Sequence, residues 1–148
     1  MNTPKILPPH YFLAALLLIV GLAFPTNIAL FPAWVPWLGA IPMLAGLGLA
    51  ITASRQFSAA DTNIVPFTES TALVTERAFA YSRNPMYLGM LLFLTGAALA
   101  TNKLLPWAGV AAFFVIIHYR FILNEEVHMH GAFGNEYLSY KDRVRRWI

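Results

Sequence analysis

Tyr81-Ser82-Arg83-Asn84-Pro85-Met86-Tyr87-Leu88-Gly89 is the stretch where a polar segment of the chain turns into an apolar one. Asn84 suits the cap ahead of a helix. Pro85 suits the first helical position, because its missing N–H has no intrahelical partner there and its φ is already helical. A helix is therefore predicted to begin at Pro85. Its free amide groups, the positive end of its dipole and the neighbouring Arg83 make a place for a small anion such as a carboxylate. A capped transmembrane helix whose arginine contacts lipid headgroups accounts for the same residues. On this stretch alone both readings stand.

Outward from this point the chain is too apolar for an ordinary soluble domain, with 58% hydrophobic and 11% charged residues in a length of 148. The expected solvent is a bilayer, and the expected architecture is a single all-α integral-membrane domain. Four spans are predicted at about residues 11–30, 34–53, 85–101 and 104–123. A cytoplasmic loop covers 54–84, and a cytoplasmic segment covers 124–148 with an amphipathic helix from Glu136 to Trp147. Tyr137, Tyr140, Val144 and Trp147 recur at helical spacing along that last stretch. The first apolar run lacks a small-x-small cleavage signature and is read as a retained span. Pro25-Thr26-Asn27 is a possible turn, and Pro36 and Pro42 are expected to kink the second span. Along the third, Gly89, Phe93, Gly96 and Ala100 form a mostly small-residue stripe that lets another helix approach closely. Gly89, one turn inside the helix, equally suits making room for a ligand.

The formal charge of +3 is small, and its distribution is more informative. The cations gather in residues 54–85 and 118–148, leaving Lys103 alone on the opposite side of a four-span arrangement. By the positive-inside rule the N-terminus, the C-terminus and the 81–89 stretch are cytoplasmic. This pattern is juxtamembrane topology and not the basic face of a nucleic-acid-binding protein. Without cysteine there is no disulfide framework, thiolate nucleophile or Cys-type zinc site.

The arrangement puts Arg83 and the adjacent carboxylates Glu125 and Glu126 at one membrane depth. Acidic residues at the end of a membrane helix are costly unless solvated or paired, so they are functional candidates. An anion-holding helix start, an acidic pair and the aromatics Tyr81, Tyr87, Phe133, Tyr137 and Tyr140 would together suit a zwitterionic cofactor with an adenine and a ribose. S-adenosylmethionine fits that description. Glu125-x-x-His128 and the pair Glu126 and His130 also have metal-ligand spacing, but di-iron bundles need the motif twice and it occurs once. No metal is assigned. His118, seven residues before Glu125, reads as an intramembrane histidine with its bonds satisfied.

Ser82-Arg83-Asn84-Pro85-Met86-Tyr87-Leu88-Gly89, then Glu125-Glu126, Phe133-Gly134-x-Glu136-Tyr137-x-x-Tyr140 and Arg143-Val144-x-Arg146-Trp147, resembles in order the isoprenylcysteine carboxyl methyltransferase family and its phospholipid methyltransferase relatives. The resemblance runs from about Phe57 to Trp147. It implies an S-adenosylmethionine-dependent integral-membrane methyltransferase acting on a lipophilic, membrane-dissolved acceptor, a carboxylate by preference. It also implies that Arg83, Asn84, Pro85, Tyr87 and Gly89 line the cofactor site, that Glu125 and Glu126 close it, and that Tyr137 and Tyr140 belong to a covering helix. Arg120 is a candidate to orient an acceptor carboxylate, with snorkelling to the headgroups as the alternative. An amine acceptor would instead need Glu125, Glu126 or His128 as a base. Where relatives often have Gly-x-Tyr-Arg, this chain has Arg77-Ala78-Phe79-Ala80, losing a flexible turn, a phenol and a cation. Two other readings remain open at this point. One is a nicotinamide-dependent membrane reductase, since sterol reductases look similar in their C-terminal helices, and the other is a non-catalytic membrane subunit. The oligomeric state stays undetermined.

Overall fold

Pro85 stands in the first turn of a helix that ends at Thr101, the boundaries read from the sequence, and every other regular element among the described residues is also helical. The computed structural model describes residues 6–25, 28–60 and 72–148. Helix α1 runs Pro8–Ala23 and α2 runs Ala40–Ala59, preceded by a 3-10 turn at Val35–Gly39. Helix α3 is Pro85–Thr101. Helix α4, Trp107–Ile116, passes through a π-helical stretch, Ile117–Ile122, into α5, Leu123–Phe133. Helix α6 is Asn135–Arg143.

Several predicted limits shift, each for a local reason. Helix α1 is shorter than the 11–30 span, because Pro25 cannot donate to the helix ladder and Ile28 to Phe31 are held elsewhere. Asn102 holds them. It takes the left-handed conformation at φ 56 that ends α3, and its amide bridges Phe31 in both directions at 2.8 and 2.9 Å. Of the predicted turn at 25–27, Thr26 and Asn27 lie outside the described residues. Pro42 sits in the first turn of α2, where no N–H is needed, so the helix is not interrupted there. Helix α2 then continues six residues past the predicted end at 53.

The fourth helix carries on beyond the apolar run, as expected from the absence of a break. Gly131 does not stop it. Gly134 does, at φ 53, with its N–H bonded to the His130 carbonyl at 2.9 Å. The amphipathic helix predicted to reach Trp147 ends instead at Arg143, and Val144 is extended at φ −119, ψ 129. The tail leaves the helix because its carbonyls meet donors at the start of α3. Arg83 N–H binds the Arg145 carbonyl at 3.0 Å, and Asn84 Nδ2 binds that of Arg146 at 3.0 Å.

Helices α2 and α3 pack through their glycines. A Cβ on Gly89 would overlap the Gly46 carbonyl, and one on Gly46 would overlap that of Gly89. The small-residue stripe therefore serves close backbone approach. Leu94 and Ala98 of α3 meet Phe113, Ile117 and Phe121 of the fourth helix and Ala15 and Ile19 of α1 in one core. Aromatic edges close it, with Phe12 set against Phe93 and Phe113.

Among the described residues two helical stretches are long and apolar enough to cross a membrane: Val35–Ala59, 25 residues with mean hydropathy 1.6, and Trp107–Phe133, 27 residues with mean hydropathy 1.4. Helices α1 and α3 are shorter apolar helices. Leu13, Leu17, Leu18, Ile41, Leu44, Leu47 and Val115 all face outward. An outer surface this apolar suits hydrocarbon better than water.

Part of the 54–84 segment, residues 61–71, lies outside the described residues. The rest packs on α6. Phe79 is buried edge-on against Phe57, with ring centroids 5.0 Å apart, and Leu73 joins Tyr137, Tyr140 and Val144 in a second apolar cluster. The turn that the missing glycine would have eased is made all the same. Arg77 adopts φ 52 there, a backbone conformation that costs a side-chain-bearing residue energy and glycine almost none.

Candidate active site

The start of α3 is held from outside the helix. Asn84 occupies the cap position, yet its side chain makes no capping hydrogen bond and is spent on the Arg146 carbonyl. Its carbonyl accepts the first helical bond, from Leu88 N–H at 2.9 Å, and its own N–H donates to Ser82 Oγ at 3.1 Å. Buried Pro85 completes the turn. This braced backbone aims Arg83 inward. The Arg83 side chain is only 8% exposed.

Glu125 and Glu126 are neighbours in one helix, so their side chains leave it about 100° apart and serve different partners. Glu125 accepts a 2.7 Å hydrogen bond from the Tyr87 hydroxyl of α3. Glu126, 11% exposed, lies 3.3 Å from Arg83 Nη2 and is gripped by Arg146 through Nε at 2.6 Å and Nη2 at 2.9 Å. Lys141 stands 3.9 Å from its other oxygen. One carboxylate is thus ringed by three cations. Arg83 also donates to the Tyr137 hydroxyl at 3.4 Å, and its Nε is buried without a partner.

Helix α6 covers this ring. Tyr137 and Tyr140 are both buried, and the Tyr140 hydroxyl donates to the Phe79 carbonyl at 2.7 Å. Burial pushes both phenols above their ordinary range, and the Glu126 carboxylate raises Tyr137 further. Both hydroxyls therefore keep their protons. Arg146 is raised by its hydrogen bond to Glu126 and keeps its charge. Beneath the tail, His118 Nδ1 accepts from the Trp147 indole at 3.3 Å while its Nε2 lies 3.4 Å from Arg146 Nη1. His118 is satisfied by partners from the tail.

The structure gathers Arg83, Glu126 and Tyr137 in one cluster, with Glu125 and Tyr87 on its inner flank. Asn84 and Pro85 shape the backbone beside it, and Tyr140 braces the lid. Gly89 packs against Gly46 and Ala50 of α2, which assigns its missing Cβ to helix packing. Arg120 is exposed, and the contacts that tie the two glutamates to Tyr87, Arg83 and Arg146 do not include it. Among the described residues no three His, Asp or Glu side chains form a metal-holding group. A cavity of about 650 Å³ lies elsewhere, between the end of α2 and residues 72–77, with Arg55, Gln56 and Arg77 in its wall. None of the predicted site residues lines it.

Arg146 and Ser82 belong to the cluster and were not singled out by the sequence. The signal for Arg146 was present in the Arg143-Val144-x-Arg146-Trp147 motif, but a surface helix was expected there, which would have turned its charge to water.

The family model of phospholipid methyltransferases matches residues 34–136, taking in the α3 start, Glu125 and Glu126 but stopping short of Tyr137 and the tail. A protein of Haemophilus influenzae described as uncharacterised is 41% identical over 63 residues, which is 43% of this chain and the whole of that protein. No solved structure matches.

Proposed function

The chain belongs to the phospholipid methyltransferase family, and from that premise we propose that it transfers a methyl group from S-adenosylmethionine to a lipophilic acceptor dissolved in the bilayer, a carboxylate in preference to an amine. The observation that carries the cofactor reading is Arg83, a nearly buried guanidinium whose Nε has no partner. A buried donor left unpaired is costly, and the carboxylate of the cofactor is an acceptor of the right charge beside a helix start. Arg83 and Glu126 would hold the cofactor's amino-acid end, and Tyr137 would close over it. When bound, the cofactor supplies an electrophilic methyl carbon on a sulfonium.

What the chain itself contributes is position and dryness. Glu126 is held by two arginines and is a poor base, whereas Glu125, which accepts a single hydrogen bond from Tyr87, is the carboxylate that an amine acceptor would use as its base. The cationic start of α3 beside the site favours an acceptor that is already anionic and needs no base. Its charge and that of the sulfonium diminish together at the transition state, which a water-excluded site assists. The buried tyrosines and the apolar wall of α3 exclude that water.

We further propose that all four apolar helices cross the membrane, with both termini and the site cytoplasmic. A fluorescent protein fused after Ile148 should then fluoresce and alkaline phosphatase fused there should be silent, while the two reporters placed after Lys103 should give the opposite pattern. The same pattern at both positions would exclude four spans.

The functional test is equilibrium dialysis of labelled S-adenosylmethionine against purified protein in lipid nanodiscs. Saturable binding is expected, at least tenfold weaker in Arg83→Ala. No binding by the unaltered protein, or stabilisation by NADPH in its place, would sink the reading.

A further inference from the structure

Arg146 joins the start of α3 to Glu126 of α5. Its side chain grips both oxygens of Glu126 on α5, and its carbonyl receives Asn84 Nδ2 at 3.0 Å and Ser82 Oγ at 3.5 Å from the start of α3. Next to it, the Arg145 carbonyl receives Arg83 N–H. The tail 144–147 therefore closes a ring from the α3 start, through Arg146, to Glu126 and back through Arg83. The fork geometry matters within that ring. A bidentate arginine fixes the plane of a carboxylate as well as its place, and a Glu126 so fixed reaches Arg83 only at Nη2, leaving Nε unspent. Were the fork released, Glu126 would be free to swing onto Arg83 and consume the donor that a ligand needs.

We propose that Arg146 is a positioning residue: it locks Glu126 in the orientation that keeps Arg83 open to an anionic group of the ligand, and it makes the C-terminal tail a wall of the pocket. The role rests on the reading of this cluster as the cofactor site. It separates from that reading because the lock exists without ligand.

The experiment has a ligand-free arm and a binding arm. The chain has no cysteine, so Val144→Cys, at a buried position beside Tyr137 and Tyr140, reports tail release by its rate of maleimide labelling. In that background Arg146→Ala should label at least ten times faster, and it should bind S-adenosylmethionine at least ten times more weakly. Arg146→Lys should recover part of both. Arg145→Ala removes the same charge from an exposed side chain whose carbonyl alone is used, and it should change neither. If Arg146→Ala does not fold, Arg146→Gln is read in its place. Unchanged labelling overturns the proposal, as does faster labelling with unaltered affinity, or an Arg145→Ala effect equal to that of Arg146→Ala. If the unaltered protein binds no S-adenosylmethionine, the cofactor reading fails by itself. The labelling arm then decides the lock, a faster rate supporting it and an unchanged rate overturning it.

Discussion

Glu126→Ala is expected to destabilise the protein by about 3 kcal/mol, the lower end of what breaking one side of a buried ion pair costs, and to abolish measurable S-adenosylmethionine binding. The reason is what it leaves behind. Arg83, at 8% exposure, would keep its charge with no carboxylate to face, and Arg146 and Lys141 would repel it across the gap. Arg146 is about one third exposed and can turn to water, which is why the lower end applies. Thermal unfolding in mild detergent reads the stability, and dialysis reads the ligand. A Glu126→Ala, Arg83→Met double variant should regain much of the stability, because removing both charges leaves nothing buried and unpaired, yet it should not regain binding. Recovery of binding by the double variant would show that the ion pair is structural only.

Gly89→Leu should cost about 3 kcal/mol, the upper end for inserting bulk into a packed interface, and should separate α2 from α3. The atoms in the way are backbone. A Cβ at Gly89 meets the Gly46 carbonyl and the Ala50 backbone, neither of which moves without moving the helix. Gly48→Leu is the matched control, since nothing lies within 4 Å of a Cβ there. That change should stay within about 0.5 kcal/mol of the starting protein, and the better helix propensity of leucine favours it slightly. Equal melting behaviour of the two variants would mean that the glycine contact does not hold the helices together. Displacing α3 should also weaken ligand binding, because the start of that helix carries Arg83.

Much of this organisation is legible without coordinates. Pro85 and the αL-prone Asn102 mark both ends of α3, because a proline at the first turn and a left-handed residue past the last are local backbone properties. The small-residue stripe announces close packing for the same reason: what permits contact is the absence of side chains. Membership of the phospholipid methyltransferase family follows from an ordered set of short motifs, and it holds for residues 34–136.

Local signals failed where a distant partner outbid them. The spacing of Tyr137, Tyr140, Val144 and Trp147 is helical, and an isolated segment would continue as a helix. Here the carbonyls of Arg145 and Arg146 find donors on Ser82, Arg83 and Asn84, some sixty residues away, and the helix gives way to extended backbone at Val144. The same partnership takes the Asn84 side chain away from its cap, although Asn84 still sits at the cap position. By itself, then, the sequence determined the helices, their apolar faces, the family and the presence of Arg83, Glu125 and Glu126 as a polar group in an apolar setting. Only the tertiary structure decided which carboxylate meets which cation. Consecutive residues on a helix point about 100° apart, and that angle sends Glu125 to Tyr87 and Glu126 to the arginines, a choice no linear spacing records.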